Sequence, residues 1–457
     1  MHEDFPVPEA ADIVVIGGSA AGLTAATVAR RYHPEKSIAI IRRDSPVPIP
    51  CGIPYIFGTI GSVERDLIPD ALLDFEGIDL VEEEVARLDR ENRQVVLADG
   101  TTIGYDKLIL ATGSTPLIPP IPGADKQNVF VIRKNVDQIS EFLTALRAAH
   151  DVVIVGGGFI GVEFADEIKK HSDKNVTVVE MLPHCLALSF DASFCAAAEK
   201  QLASAGVKVL TGEKVTEITG GEKVAGVRLA SGTELKADVV LISAGVRPNV
   251  ELAAQAGLKA DPVAGIWVDR HMRTEDPHIF ACGDCAAKVS FFTGKPCPVR
   301  LASVATMEAR VVAANLYENR RENPGIIGVV STVVGRVAFA AAGLTEEAAR
   351  REGFAVVTGE AVTPNRHPKV MPGVTDTRVK LVFEKGSGVI LGGQALGGES
   401  VGELINVVAT CILNRMTCEQ VALLQVGTHP LLTAAPTNYY LSVAAEAAAQ
   451  KLHGERN

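Results

Sequence analysis

Asp151-Val-Val-Ile-Val-Gly156-Gly157-Gly158-Phe159-Ile160-Gly161 is a short apolar strand that runs straight into a complete G-x-G-x-x-G turn. A helical stretch beginning near Phe159 leads on to a second apolar strand, Val176-Thr-Val-Val-Glu180. Glycine at the first position permits the tight turn, the second lets backbone approach a phosphate, and the following helix offers free N–H groups and a positive dipole end to a pyrophosphate. Glu180 ends the second strand, where a carboxylate accepts hydrogen bonds from a ribose 2′-OH and repels a 2′-phosphate. The spacing therefore predicts an NADH site over Gly156, Gly158, Phe159, Ile160, Gly161, Glu163 and Glu180.

The same design occurs earlier in the chain. Asp12-Ile-Val-Val-Ile-Gly17 leads through Gly17-Gly18-Ser19-Ala20-Ala21-Gly22 to Ile38-Ala-Ile-Ile41. Such β-α-β units build parallel sheets with ligands at the strand ends, so two copies imply two dinucleotide sites. The first copy is less regular. Ser19 stands where the second glycine belongs, and the strand ends in Arg42-Arg43-Asp44, so the ribose acid is displaced or replaced.

With 457 residues the chain is expected to hold two or three domains. Its 44 Lys+Arg against 55 Asp+Glu give a net charge of -11, which offers no broad basic surface to a nucleic-acid backbone. The apolar run at 13–29 follows Glu3, Asp4 and Glu9 and is broken by glycines, so it reads as strand, turn and helix, with no export signal or membrane segment. Eight cysteines are too few for a disulfide scaffold of this size, and a cytoplasmic location with reduced thiols is expected.

Between the two glycine turns, alternation in Gln94-Val-Val-Leu-Ala and the turn Asp99-Gly100 predict a small antiparallel meander before the strand Leu108-Ile-Leu-Ala111. Pro116, Pro119, Pro120 and Pro122 mark a linker. Beyond about 325, β-rich and helical segments alternate without a phosphate turn. The expected architecture is α/β, with two Rossmann-like dinucleotide-binding domains and a C-terminal α+β dimerisation domain. The expected boundaries are 1–117 and 246–324 for the first, split unit, 118–245 for the second and 325–457 for the third.

Two further segments, Tyr105-Asp-Lys-Leu-Ile-Leu-Ala-Thr-Gly-Ser114 and His278-Ile-Phe-Ala-Cys-Gly-Asp284, follow the first turn in order. With it they resemble the recognition segments of the FAD-dependent pyridine nucleotide–disulfide oxidoreductases. The resemblance covers nearly the whole chain. It implies FAD at Gly17, Ser19, Ala20, Ala21, Gly22, Arg42, Arg43, Ala111, Thr112, Gly113, Gly283, Asp284 and Ala302, with Asp284 on the ribityl chain. Ala244-Gly245-Val-Arg-Pro-Asn249 resembles that family's return from the NAD domain to the FAD domain, which implies Gly245 among the cofactor-binding residues.

Pro50-Cys51-Gly52-Ile53-Pro54-Tyr55 resembles the single-cysteine branch, which includes CoA-disulfide reductases, NADH peroxidases and oxidases, and persulfide or polysulfide reductases. The partner cysteine of two-cysteine relatives is Ile56 here. A thiol at the start of a helix after Pro50 is expected to have a lowered pKa, and a thiolate attacks disulfide or polysulfide sulfur. The resemblance also implies a homodimer whose active site is shared between subunits. Thr428-His429-Pro430 resembles the His-Pro motif that assists the thiol across that interface, although its orienting Glu is Ala434 here.

Peroxidases and oxidases of this branch carry a His where this chain has Ala20, which lowers oxygen or peroxide chemistry as the main function. CoA-disulfide reductases tend to carry a Tyr where Met371 stands, while Tyr439 and Tyr440 remain candidates from elsewhere. The acidic run at 70–84 does not favour a CoA diphosphate at that surface. Cys282 and Cys285 form C-x-x-C but straddle the ribityl segment, so they read as packing residues, and no metal is expected. The expected activity is NADH-dependent reduction of CoA disulfide, persulfide or polysulfide, electrons passing through FAD to Cys51. Two alternatives stay open. One is an NADH oxidase or peroxidase using a Cys51 sulfenic acid; the other is an electron-transfer subunit that reduces a protein partner.

Overall fold

The computed structural model describes residues 7–454. Its first sheet places Asp79–Glu82, Ile38–Arg42, Ala10–Ile16 and Thr102–Leu110 side by side in parallel, with Ile279–Ala281 on the far side of Thr102–Leu110. Antiparallel strands Gln94–Leu97 and Val85–Asp89 extend it as a meander. Thr102–Leu110 serves both parts of this sheet. Its first residues pair with the meander, and most of its length pairs with Ala10–Ile16, in which Ala11 and the four residues Ile13 to Ile16 are buried.

The second sheet is wholly parallel, in the order Lys208–Thr211, Asn175–Glu180, Asp151–Val155, Val239–Ile242, Val129–Val131. Both glycine turns leave their sheets the same way. Gly17 and Gly156 have φ of +117° and +112°, a region that favours glycine. A Cβ on Gly22 would lie 1.7 Å from the Gly17 carbonyl oxygen, and one on Gly161 1.9 Å from that of Gly156. The last glycine of each motif is thus required by helix–strand packing. Ala25, Ala26 and Ala29 are fully buried in the first helix, Ala20–Tyr32, where small side chains let it pack closely against Ala302–Asn315.

The proline run begins with a two-stranded link. Ser114–Pro116 pairs antiparallel with Val246–Pro248, so the outgoing and returning chains between the two parallel sheets lie side by side. The C-terminal sheet is antiparallel, ordered Val329–Val334, Val337–Gly343, Ile390–Gly397, Asp376–Glu384, Val356–Pro364. Helix Tyr440–Gly454 lies so close on it that a Cβ on Gly359 would fall 1.8 Å from the Ala444 carbonyl oxygen.

One hydrophobic core joins three regions of the chain. Ile53, Ile56 and Phe57 from the cysteine segment, Phe142 and Phe164 from helices of the second sheet, and Val334 and Phe339 from the C-terminal sheet pack together. Phe57 stands 4.4 Å from Phe142 and 5.0 Å from Phe164 between ring centroids. Polar contacts seal the junction. Glu167 accepts from the backbone N–H and hydroxyl of Thr59, Asp166 accepts from the Gly335 N–H, and Lys170 pairs with both acids.

Candidate active site

Both glycine turns and Cys51 open onto one cleft of about 2860 Å³. In the first turn Ser19 lies at the start of helix Ala20–Tyr32, yet its side chain makes no capping bond to it. Its Oγ is buried with no hydrogen-bond partner, and Gly17, Ala20 and Ala21 line the cleft beside it. A buried orphan hydroxyl beside free helical N–H groups is the chemistry a pyrophosphate satisfies. In the second turn Gly158 has no atom within 4 Å of where a Cβ would stand, so the cradle is open, and Gly156, Phe159 and Ile160 face it. The residues present fit two bound dinucleotides.

Arg42 and Glu180 occupy matching places. A Cβ on Gly18 would lie 2.6 Å from Arg42 Cδ, and one on Gly157 3.0 Å from Glu180 Cβ. Glu180 is buried, and its two oxygens accept from the Gly157 and Leu182 N–H groups at 2.6 and 2.7 Å. Each oxygen retains a lone pair for a ribose hydroxyl. The Arg42 guanidinium, 3% exposed, donates to both oxygens of Asp70 at 2.6 Å, to Glu82 at 2.9 Å and to Ser45. These acids come from the run at 70–84, so part of that negative charge is neutralised inside the protein. Arg43 is exposed and pairs with Asp44 and Glu84. Arg42 thus lines the cleft with its charge already engaged, and sequence reasoning missed its partners because they follow it by 28 and 40 positions.

Ala111, Thr112, Gly113, Asp284, Ala302 and Gly245 also line the cleft. Ser114 donates to the Asp284 carboxylate at 2.8 Å and orients it. Gly22, Gly161 and Gly283 support the turns from behind. The Gly283 N–H is held at 2.9 Å by Glu308, which pairs with Lys288 at the same distance in a site where both side chains are at most 1% exposed. Burial outweighs the lysine and pushes Glu308 up to about 7. This pair carries no motif in the sequence. Cys282 and Cys285 are completely buried, the Cys285 thiol resting on the Leu110 and Cys282 carbonyls.

Cys51 is exposed to the cleft. The structure corrects the expected depression of its pKa: the helix that follows, Ile53–Ile56, is a single turn with a weak dipole. Protein mass on the side away from the cleft, then Glu163, raise the thiol; Lys134 alone opposes them, and Asp66 adds to the rise. Glu163 accepts from Thr332 of the C-terminal sheet at 2.8 Å, and burial pushes it up to about 7. Lys134, Asp66 and Thr332 were not singled out from the sequence, since only tertiary structure sets the first two near the thiol and Thr332 against Glu163.

His429 does not line the cleft of its own chain. It lies exposed on a loop, its Nδ1 accepting from the Leu431 N–H at 3.2 Å, and Ala434 beside it is fully buried. Tyr439 and Tyr440, kept as candidates, are buried in the C-terminal core, which removes them as groups facing Cys51 in this chain.

A family model described as pyridine nucleotide-disulphide oxidoreductase matches residues 11–309, and that family's dimerisation domain matches 329–439. The chain belongs to the pyridine nucleotide-disulphide oxidoreductases. It is a flavin- and nicotinamide-dependent oxidoreductase whose α/β fold combines Rossmann-type units with a C-terminal dimerisation domain. Within this family it is 32% identical over 451 residues to an NADH oxidase of Methanocaldococcus jannaschii, covering 96% of this chain and 99% of the relative. It is 31% identical over 412 residues to a CoA-dependent NAD(P)H sulfur oxidoreductase of Pyrococcus abyssi, covering 89% and 91%. A solved NAD-dependent persulfide reductase of A. fulgidus superposes with a TM-score of 0.90 at 32% identity, covering 97% of this chain and 84% of that one. Among the described residues no helix is long and apolar enough to cross a membrane.

Proposed function

We propose that this oxidoreductase uses NADH to reduce low-molecular-weight sulfur species, namely CoA disulfide, persulfide or polysulfide, through Cys51. The observation that carries the reading is one cleft holding both glycine turns and the exposed Cys51 thiol, with the fully buried Ile56 in place of a partner cysteine; Cys297 also lines the cleft but is half-buried. FAD, when bound, supplies the means to take a hydride from NADH and deliver electrons to sulfur. The first turn with Ser19, Asp284 and Ala302 binds it; the second turn, with Glu180 and Gly245, binds NADH. Glu163 and Lys134 set the charge beside the thiol. The thiolate attacks one sulfur of the substrate's S–S bond, which breaks, leaving that sulfur joined to Cys51 and expelling the other as a thiolate or a shorter sulfur anion. The two electrons from NADH would cleave the new S–S bond and restore the thiolate. The sulfur oxidoreductase and persulfide reductase relatives support this reading. The domain boundaries at 117, 245 and 324 are part of the proposal. An anaerobic comparison of NADH oxidation with CoA disulfide, CoA persulfide, polysulfide, peroxide and ferredoxin tests it; ferredoxin alone being reduced would sink it.

The NADH oxidase relative favours a second reading, oxygen or peroxide reduction with Cys51 passing through a sulfenic acid. Turnover driven by oxygen at least as fast as by sulfur acceptors identifies that case.

NADH is expected to be preferred over NADPH, because Glu180 repels a 2′-phosphate at a buried position. Glu180→Ala should narrow the preference by on the order of tenfold or more in kcat/KM. It should also cost about 1–3 kcal/mol, since the Gly157 and Leu182 N–H groups lose their acceptor. A variant with unchanged discrimination contradicts the role.

The dimerisation domain supports a homodimer, and sharing of the active site, with His429 reaching the partner's cleft, belongs to the proposal. Light scattering should give twice the chain mass. Full activity in a monomer would overturn the shared site.

A further inference from the structure

The segment around the thiol lies in the chain between core residues of the first sheet, Ile38 to Ile41 before it and Leu73 after it, yet its own apolar side chains are buried elsewhere. Ile53, Ile56, Phe57 and Val63 pack in the core of the second sheet. From Gly52 to Ile60 the backbone closes on itself in consecutive turns. The Tyr55 N–H donates to the Gly52 carbonyl at 2.9 Å, and the Ile60 N–H donates to the Tyr55 carbonyl at 2.7 Å. This compact unit follows Cys51 directly. It is held at Thr59, whose backbone N–H and hydroxyl both donate to Glu167 Oε2, at 2.8 and 2.7 Å. Gly58 permits the close approach, since a Cβ there would lie 2.4 Å from the Glu167 carbonyl oxygen and 2.6 Å from Oε2.

Glu167 stands on helix Phe159–Lys170, which starts at the second glycine turn. One helical turn before it, Glu163 lines the cleft together with Cys51. Glu167 is 1% exposed, and its Oε1 accepts from Lys170 at 2.7 Å, so both oxygens are engaged and the side chain is fixed. We propose that Glu167 is a positioning residue for Cys51: by clasping Thr59 it ties the thiol to the helix whose first turn receives NADH. This rests on reading Cys51 as the redox thiol. One rigid element then holds the place where electrons enter and the place where they leave at a fixed separation. The thiol is set by the nicotinamide-binding unit, although it follows the first strands of the flavin-binding unit in the chain.

The test uses the anaerobic holoenzyme at alkaline pH, where the thiolate forms, and reads the long-wavelength thiolate–flavin band together with the two half-reactions in stopped flow. Glu167→Ala removes the clasp and should lose most of that band. Reoxidation of the reduced flavin by polysulfide should slow by on the order of tenfold, as for other misplaced reacting groups, while NADH reduces the flavin at the wild-type rate. Glu167→Gln keeps an oxygen for Thr59 and should restore both. A clasp that only adds stability lowers the melting temperature and leaves the band and the polysulfide step unchanged; that result overturns the proposal. Should Glu167→Ala not fold, Thr59→Val, which removes one of the two bonds, is read in the same way: a weaker band supports the proposal and a wild-type band overturns it. Failure of the redox reading is a separate outcome, shown by polysulfide turnover surviving in Cys51→Ser while the band still weakens in Glu167→Ala.

Discussion

Cys51→Ser is expected to lower turnover of disulfide, persulfide and polysulfide by on the order of 10³-fold or more, while NADH still bleaches the bound flavin at an undiminished rate. The two outcomes separate because the thiol is the nucleophile toward sulfur and takes no part in nucleotide binding. Serine is a near isostere whose hydroxyl stays protonated, so it preserves the packing of Ile53 and Ile56 beneath it. Wild-type protein should also show a long-wavelength thiolate–flavin band that fades on acidification. The raised thiol places that loss at higher pH than the helix-start reading of the sequence would. Stopped-flow absorbance under argon measures both steps. Wild-type rates of sulfur reduction in the variant would leave electron transfer to a protein partner as the better account.

The largest effect on stability is expected from Lys288→Met. Lys288 and Glu308 lie within the core under the Asp284 loop, and Lys288 also donates to the Gly283 and Ala286 carbonyls at 2.5 and 2.8 Å. Removing the lysine drives Glu308 to take up a proton and strips the Gly283 and Ala286 carbonyls of their donor, a change expected to cost about 3–5 kcal/mol as for other buried pairs that lose one partner. Because Glu308 also holds the Gly283 N–H, the loop should loosen and FAD should be lost more readily. Adding Glu308→Gln should recover much of the loss, since the amide oxygen still accepts from Gly283 and no charge remains to desolvate. Thermal unfolding followed by flavin fluorescence reads both effects. A single variant that melts and retains flavin like wild type would show that the pair is not coupled to the loop.

Much of the architecture was legible in the chain because its signals are local. Apolar strand, glycine turn and helix follow one another within some thirty residues, and Gly22 and Gly161 are required by the carbonyls of Gly17 and Gly156 five positions earlier, whereas the space at Gly17 and Gly156 themselves is closed by Ala111 and Ser243. Cys51, Glu180 and the Asp284 segment carry enough local pattern to be placed in one site. The charges around them were not legible. Arg42 meets Asp70 and Glu82, Lys288 meets Glu308, and Glu163 meets Thr332 across 169 positions, pairings that exist only once sheets and helices have docked. The state of Cys51 shows the limit most clearly. Position at a helix start suggested a lowered pKa, whereas the folded protein gives that helix one turn and sets the thiol beside Asp66 and Glu163. The sequence alone determined the strands, the turns and the identity of the thiol, because each rests on short-range backbone sterics and side-chain chemistry. Only the tertiary structure decided the protonation of that thiol and the burial of the acids around it, because desolvation and Coulomb energy depend on groups that folding alone brings within a few ångströms.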